Sequence, residues 1–121
     1  MKVTKKNRQF KVGKKNSIKI SHVANISLKK DEMVTFKDDA REFDFGKKNW
    51  GYYGSPSLNK RLKSFGYMAA LVKNKVLGTY NIMTVNVKKK EIFLKYLKSE
   101  DMRVICWVNV KNLKKIEKLF S

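Results

Sequence analysis

The residues of this chain best suited to chemistry crowd into one stretch, Trp50-Gly51-Tyr52-Tyr53-Gly54-Ser55-Pro56-Ser57, followed by Lys60 and Arg61. Ser55 has the side chain of a helix N-cap, and Pro56 suits the first helical position. Leu58, Leu62 and Phe65 then fall at i, i+4 and i+7, one stripe of a helix that Gly66 would end. A helix start exposes unpaired amide N–H groups and a partial positive charge. Joined by the hydroxyls of Ser55 and Ser57 and the cations of Lys60 and Arg61, it would hold a phosphate, sulfate or carboxylate. Trp50, Tyr52 and Tyr53 would stack on a base or a sugar ring. The plainer alternative is structural: Ser55 caps, Pro56 starts the helix, and the aromatics plug the core beside it. The stretch lacks the Gly-x-x-x-x-Gly-Lys pattern, which excludes a nucleotide-hydrolysing P-loop.

Charge points the same way. The 121 residues carry 29 Lys plus Arg against 10 Asp plus Glu, a net +19. Residues 1–30 hold ten bases and no acid, residues 61–90 seven bases and no acid, and residues 31–60 are near neutral. Blocks of like charge repel themselves and persist where a polyanion can neutralise them. Residues 1–16 read as a flexible basic arm that orders on a partner. Lys5, Lys6, Arg8, Lys14 and Lys15 are its candidate contacts to backbone phosphates. The competing view is a solvated surface that contacts nothing.

Catalysis finds little support, and no residue is assigned to it. The single His22 sits on the apolar side of an alternating segment, and the single Cys106 between Ile105 and Trp107 reads as a buried thiol. Asp38, Asp39, Glu42 and Asp44 cluster without the loop spacing of a calcium site. Ser55 or Ser57 as a nucleophile would need a base such as a folded-back His22 or a lysine. One His and one Cys cannot supply a zinc site of the usual ligand count, and one Cys excludes an internal disulfide. No metal and no cofactor is expected.

These groups need elements to position them. With 42% hydrophobic residues the chain can build a core. Residues 17–121 read as a single α+β domain. From Ile18 apolar and polar residues alternate (Ile18, Ile20, His22, Ala24, Ile26 and Leu28 on one face), a half-buried strand. Val34 with Phe36, and Phe43 with Phe45, mark two more strands around a turn at Asp38-Asp39. After the helix ending at Gly66 come a strand at 67–72 and a longer one at 76–87 with Gly78 as a bulge. A helix buried on Ile92, Phe93, Tyr96 and Leu97, a strand at 104–108 and a helix at 109–120 follow. From Phe43 the order matches a ferredoxin-like split β-α-β core with an N-terminal β meander and an extra C-terminal helix. The expected central strand offers Tyr80 alone and lacks the aromatic signature of an RNA-recognition sheet. The last helix sets Lys111, Lys114, Lys115 and Lys118 against Leu113, Ile116, Leu119 and Phe120, a basic amphipathic pattern that either packs on the sheet or lies on a membrane surface.

The segments WGYYGSPSLNKRLKSFG, ALVKN and IFLKYLKSEDMRVICWVN resemble a family of small bacterial proteins without an assigned activity, a resemblance that covers residues 18 to 109 and not the arm or the last helix. The resemblance transfers no catalytic residue and implies that the loop-helix segment is the family's distinguishing part. The expectation is a non-enzymatic anion-binding module acting on RNA or DNA. The alternatives are a binding protein or accessory enzyme for a phosphorylated or carboxylated sugar or nucleotide at the 50–61 loop, and a structural protein whose exposed strand edge is a homodimer or scaffold contact. No apolar run resembles a signal or a membrane span, so the cytoplasm is the expected address.

Overall fold

A computed structural model describes the backbone of residues 1–121 and every side chain except that of Ser55. It is mostly β, with 51% strand and 23% helix. The chain divides into two compact units, Met1–Asp38 with Glu42–Ser55, and Asp39–Arg41 with Pro56–Ser121.

In the first unit, β1 (Lys2–Val12) and β2 (Ile18–Ser27) form an antiparallel two-stranded ribbon. Residues 1–16, expected as a flexible arm, therefore hold a strand and the start of its turn. The reason lies in the register. Val3 faces Ile26, Phe10 faces Ile20 and Val12 faces Ile18, so the few apolar groups of the basic segment meet β-branched partners on one face. A register shift between Lys5 and Arg8 marks a bulge. The second sheet orders β3 (Met33–Asp38), β4 (Arg41–Lys48) and β5 (Gly51–Ser55) as a meander. Asp39, at φ +55°, belongs to the two-residue turn between β3 and β4. Asn49 and Trp50 alone separate Lys48 from its partner Gly51, whose φ of +141° suits glycine. Asp44 is buried and accepts the Thr35 hydroxyl at 2.6 Å.

The second unit is built on a three-stranded antiparallel sheet ordered β7-β6-β8, from β6 (Tyr67–Asn74), β7 (Tyr80–Asn86) and β8 (Met102–Val108). Around it lie α1 (Arg61–Ser64), α2 (Lys90–Ser99) and α3 (Val110–Phe120). Ala70, Val72, Val85 and Leu97 form the buried core, with Met83, Phe93, Met102, Val104 and Trp107 packed against it. Gly66, at φ +78°, ends the α1 segment as its position suggested.

This arrangement overturns the ferredoxin-like expectation. That plan needs the strand before the first helix to cross over and join the same sheet parallel to the strand after it, with one other strand between them. A parallel crossover takes a dozen or more residues, usually with a full helix. Between Ser55 and Tyr67 only the four-residue α1 is helical, and β5 pairs with β4 instead. β8 then takes the free edge of β6, so β6 lies between two antiparallel neighbours.

Three local expectations also change. The Ser55–Gly66 helix shrinks to Arg61–Ser64, with Ser55 ending a strand. The strand expected at 76–87 begins only at Tyr80, because the Asn74 carboxamide accepts from the Val76 and Leu77 amides and closes a turn, with Gly78 at φ +70°. On α2, Ile92 is 67% exposed while Leu97 is buried, so the buried stripe is narrower than Ile92, Phe93, Tyr96 and Leu97.

Leu97→Ala should lower unfolding stability by about 2–5 kcal/mol, since it empties a site inside the core. Ile92→Ala should change it by less than about 0.5 kcal/mol. Urea melts followed by circular dichroism measure both.

Candidate functional site

The first-unit ribbon concentrates cations that the sequence placed in a floppy arm. Every residue of β1 is exposed. Directly opposed residues of an antiparallel pair share a face, and successive residues alternate between faces. One face carries Val3, Lys5, Arg8, Phe10 and Val12 against Ile26, Ala24, His22, Ile20 and Ile18. Here the Arg8 guanidinium lies 4.9 Å from the centre of the Phe10 ring. The other face carries Lys2, Thr4, Gln9 and Lys11 against Ser27, Asn25, Ser21 and Lys19. Lys6 sits within the bulge, and Lys14 and Lys15 lie in the turn that joins the strands. Lys11 stands directly opposite Lys19, a like-charge pair of the kind that destabilises a sheet. Among the described residues, Lys5, Lys6, Lys11, Lys15 and Lys19 pair with no carboxylate. Lys11 and Lys19 were absent from the sequence-based phosphate set. The alternation of Lys19 with Ile18 and Ile20 was the signal that could have included Lys19.

Asp31, Glu32 and Glu42 of the first unit pair with cations outside the ribbon's lysines. Asp31 binds Lys48 Nζ at 2.8 Å, and Lys37 lies 3.6 Å from Glu42. Glu32 accepts the Lys29 backbone N–H at 2.7 Å and pairs with the N-terminal ammonium at 2.9 Å. The Lys29 amide first, and the ammonium second, hold its carboxyl below the usual range. Of the acidic cluster expected in the β3–β4 region, Asp44 is tied to Thr35 and Glu42 to Lys37. Among the described residues no group of three His, Cys, Asp or Glu gathers to hold a metal ion.

The aromatics of the candidate stretch are open to solvent. Trp50 occupies the β4–β5 turn and is 67% exposed, with Tyr52 at 59% and Tyr53 at 57%. Tyr52 and Tyr53 are consecutive in β5, so their side chains leave opposite faces of the sheet and do not form one stacking platform. Lys47, the cross-strand partner of Tyr52, places Nζ 4.7 Å from that ring's centre. Tyr52 therefore presents an aromatic face already paired with a cation.

The remaining candidates belong to the second unit. Ser57 Oγ accepts the Arg61 N–H at 3.2 Å, while Lys60 occupies the N-cap position of α1 without a side-chain cap bond. The side chain of Ser55 lies outside the described residues. Ser57, Lys60 and Arg61 are exposed, and the Arg61 guanidinium lies 5.8 Å from the Phe65 ring centre. Because α1 is only four residues long, the full-helix dipole invoked for an anion cradle does not form here. A cavity of about 310 Å³ in this unit is lined by Leu58, Lys63, Tyr67, Met68, Val108 and Val110, and thus not by Ser57, Lys60 or Arg61.

The two candidate catalytic side chains serve the backbone. His22 Nε2 donates to the Ala24 carbonyl at 3.1 Å, while its Nδ1 is buried without a partner among the described residues. Cys106 Sγ donates to the Trp107 carbonyl at 3.4 Å. In α3, Asn109 caps the Asn112 amide at 2.8 Å, yet Ile116, Leu119 and Phe120 are 40%, 76% and 83% exposed. The apolar stripe thus packs on the sheet only through its first half. No helix among the described residues is long and apolar enough to cross a membrane.

No family model, curated protein or solved structure matches the chain. The resemblance drawn from WGYYGSPSLNKRLKSFG and its companion segments therefore rests on those residues alone.

Two measurements check this geometry. Trp50→Phe should leave stability within about 0.5 kcal/mol of the parent, because the ring packs in no core. Trp107→Ala should cost about 3–5 kcal/mol. Protonating Glu32 should loosen the Lys29–Glu32 turn. Its folded pKa is lowered, so its contribution is present above the ordinary glutamate range and lost as pH falls through the lowered value. A nuclear magnetic resonance titration of the Lys29 amide should show a transition displaced to the acid side of a free glutamate.

Proposed function

We propose that the chain is a non-enzymatic module that binds polyanions, in particular RNA or DNA, through their phosphate backbone. The observation that carries this reading is the β1–β2 ribbon, an exposed pair of strands rich in cations and free of carboxylates, on which Lys11 directly opposes Lys19. Self-repulsion of that kind is relieved when a polyanion displaces counterions and takes up the charge. Lys5, Lys6, Arg8, Lys14 and Lys15 act as backbone contacts, and Lys11 and Lys19 join them. Exposed Trp50 and the Lys47–Tyr52 pair in the same unit offer rings for unpaired bases. Such contacts position the ligand without reading its sequence.

Affinity for a single-stranded RNA and for a duplex DNA of mixed sequence should fall steeply with salt. If about five phosphates are neutralised, the log–log slope is about −3.5 for the single strand and about −4.5 for the duplex. Lys5→Ala with Lys6→Ala should flatten the slope by about 1.4 for the single strand and about 1.8 for the duplex. A flat plot, or no binding at low salt, overturns the proposal.

A further inference from the structure

We propose that the open face of the β1–β2 ribbon reads the major groove of duplex DNA. This rests on the polyanion-binding reading above and names its preferred ligand and its reading surface. The two faces of the ribbon differ sharply. The face with Val3, Phe10, Val12, Ile18, Ile20 and Ile26 is mostly apolar, interrupted by Lys5 and Arg8, and its Ile18, His22 and Ala24 are partly covered. The opposite face is exposed along its whole length. Apart from Val23, it presents only cations and short hydrogen-bonding side chains, paired as Lys2 with Ser27, Thr4 with Asn25, Gln9 with Ser21 and Lys11 with Lys19.

These residue types suit base edges. Asn and Gln carboxamides match adenine N6 and N7, lysine matches guanine O6 and N7, and Ser or Thr hydroxyls serve either. A two-stranded β-ribbon is also one of the elements that the major groove of B-form DNA admits. Eleven residues at about 3.3 Å each give β1 a length of about 36 Å, close to one turn of the duplex. Lys11 and Lys19 are directly opposed on this face, and guanine O6 and N7 are two groove acceptors that lysine ammonium groups suit. Lys6 in the bulge and Lys14 and Lys15 in the turn lie at the margins of this face, suited to phosphates along the groove walls. The major groove of duplex RNA is too deep and narrow for side chains to read, so the ribbon favours DNA over RNA duplexes.

The test uses the full chain with a 20-base-pair mixed-sequence duplex DNA, the matching duplex RNA, the matching single-stranded DNA, and heparin. Duplex DNA should bind at least ~tenfold tighter than duplex RNA, and the bound chain should shield guanine N7 from methylation by dimethyl sulfate. Gln9→Ala with Asn25→Ala should weaken duplex DNA about tenfold and leave heparin binding unchanged. Lys98→Ser, which removes one charge from α2, should weaken neither measurably. Shielding of N7 is read on the unaltered chain, so a variant that folds poorly does not decide the outcome. Equal affinity for the two duplexes, tighter binding of single-stranded DNA, or unprotected N7 with duplex DNA bound would refute groove reading and leave the polyanion proposal standing. Failure to bind every one of the four probes at low salt would refute both.

Discussion

Repulsion among like charges on an antiparallel ribbon is the constraint from which the functional reading grows. Opposed residues in such a pair have Cα atoms about 4.5–5.5 Å apart, well inside the Debye length of about 8 Å at physiological salt. Lys11 and Lys19, directly opposed across the two strands, are a like-charge pair of the kind that destabilises a sheet. The ribbon forms despite this because Val3, Phe10 and Val12 meet Ile26, Ile20 and Ile18 on the other face. Apolar pairing holds the strands in register, and that same register sets the cations side by side.

The second unit obeys a different constraint. Its central strand β6 is hydrogen-bonded on both edges, and Ala69, Ala70 and Val72 are buried along it. The small side chain of Ala70 lets α2 bring Leu97 and Phe93 onto the sheet, where Phe93 meets Trp107 edge to face at 5.8 Å between ring centres. Lys90 stands 4.9 Å from the same tryptophan ring and Lys73 5.3 Å from Tyr80. Part of the positive charge in this unit is thus spent on aromatic faces, whereas the open face of β1–β2 has no comparable acceptor.

Period-two alternation made β2, β3 and β4 legible, and the apolar run at 67–72 marked β6 at once. Helices α2 and α3 were equally readable. The rest depended on information that local pattern does not hold. Ser55-Pro56 reads like a helix start, yet the strand pairing of Asp44 with Ser55 holds that backbone extended and postpones the helix to Arg61. Element order cannot state which strands pair, so the ferredoxin-like plan failed where β5 joined β4. β1 escaped notice because its alternation is broken by the bulge at Lys6-Asn7, which shifts the apolar residues from odd to even positions between Val3 and Phe10. The same break hid the site. Without a strand there is no face, and without a face Lys11 and Lys19 are only two more lysines.

Salt acts on this ribbon in two opposing senses. Raising ionic strength screens the Lys11–Lys19 repulsion and favours the paired strands. It also removes the entropy gained when a polyanion releases its counterions, so it weakens the complex. A surface that served only solubility would have no use for cations held in register across two strands, since scattered charges of both signs keep a protein dissolved at lower cost to its fold. A ligand that binds the folded chain alone returns stability by mass action. On the proposed reading, the like charges that the β1–β2 register sets side by side are what a polyanion would neutralise.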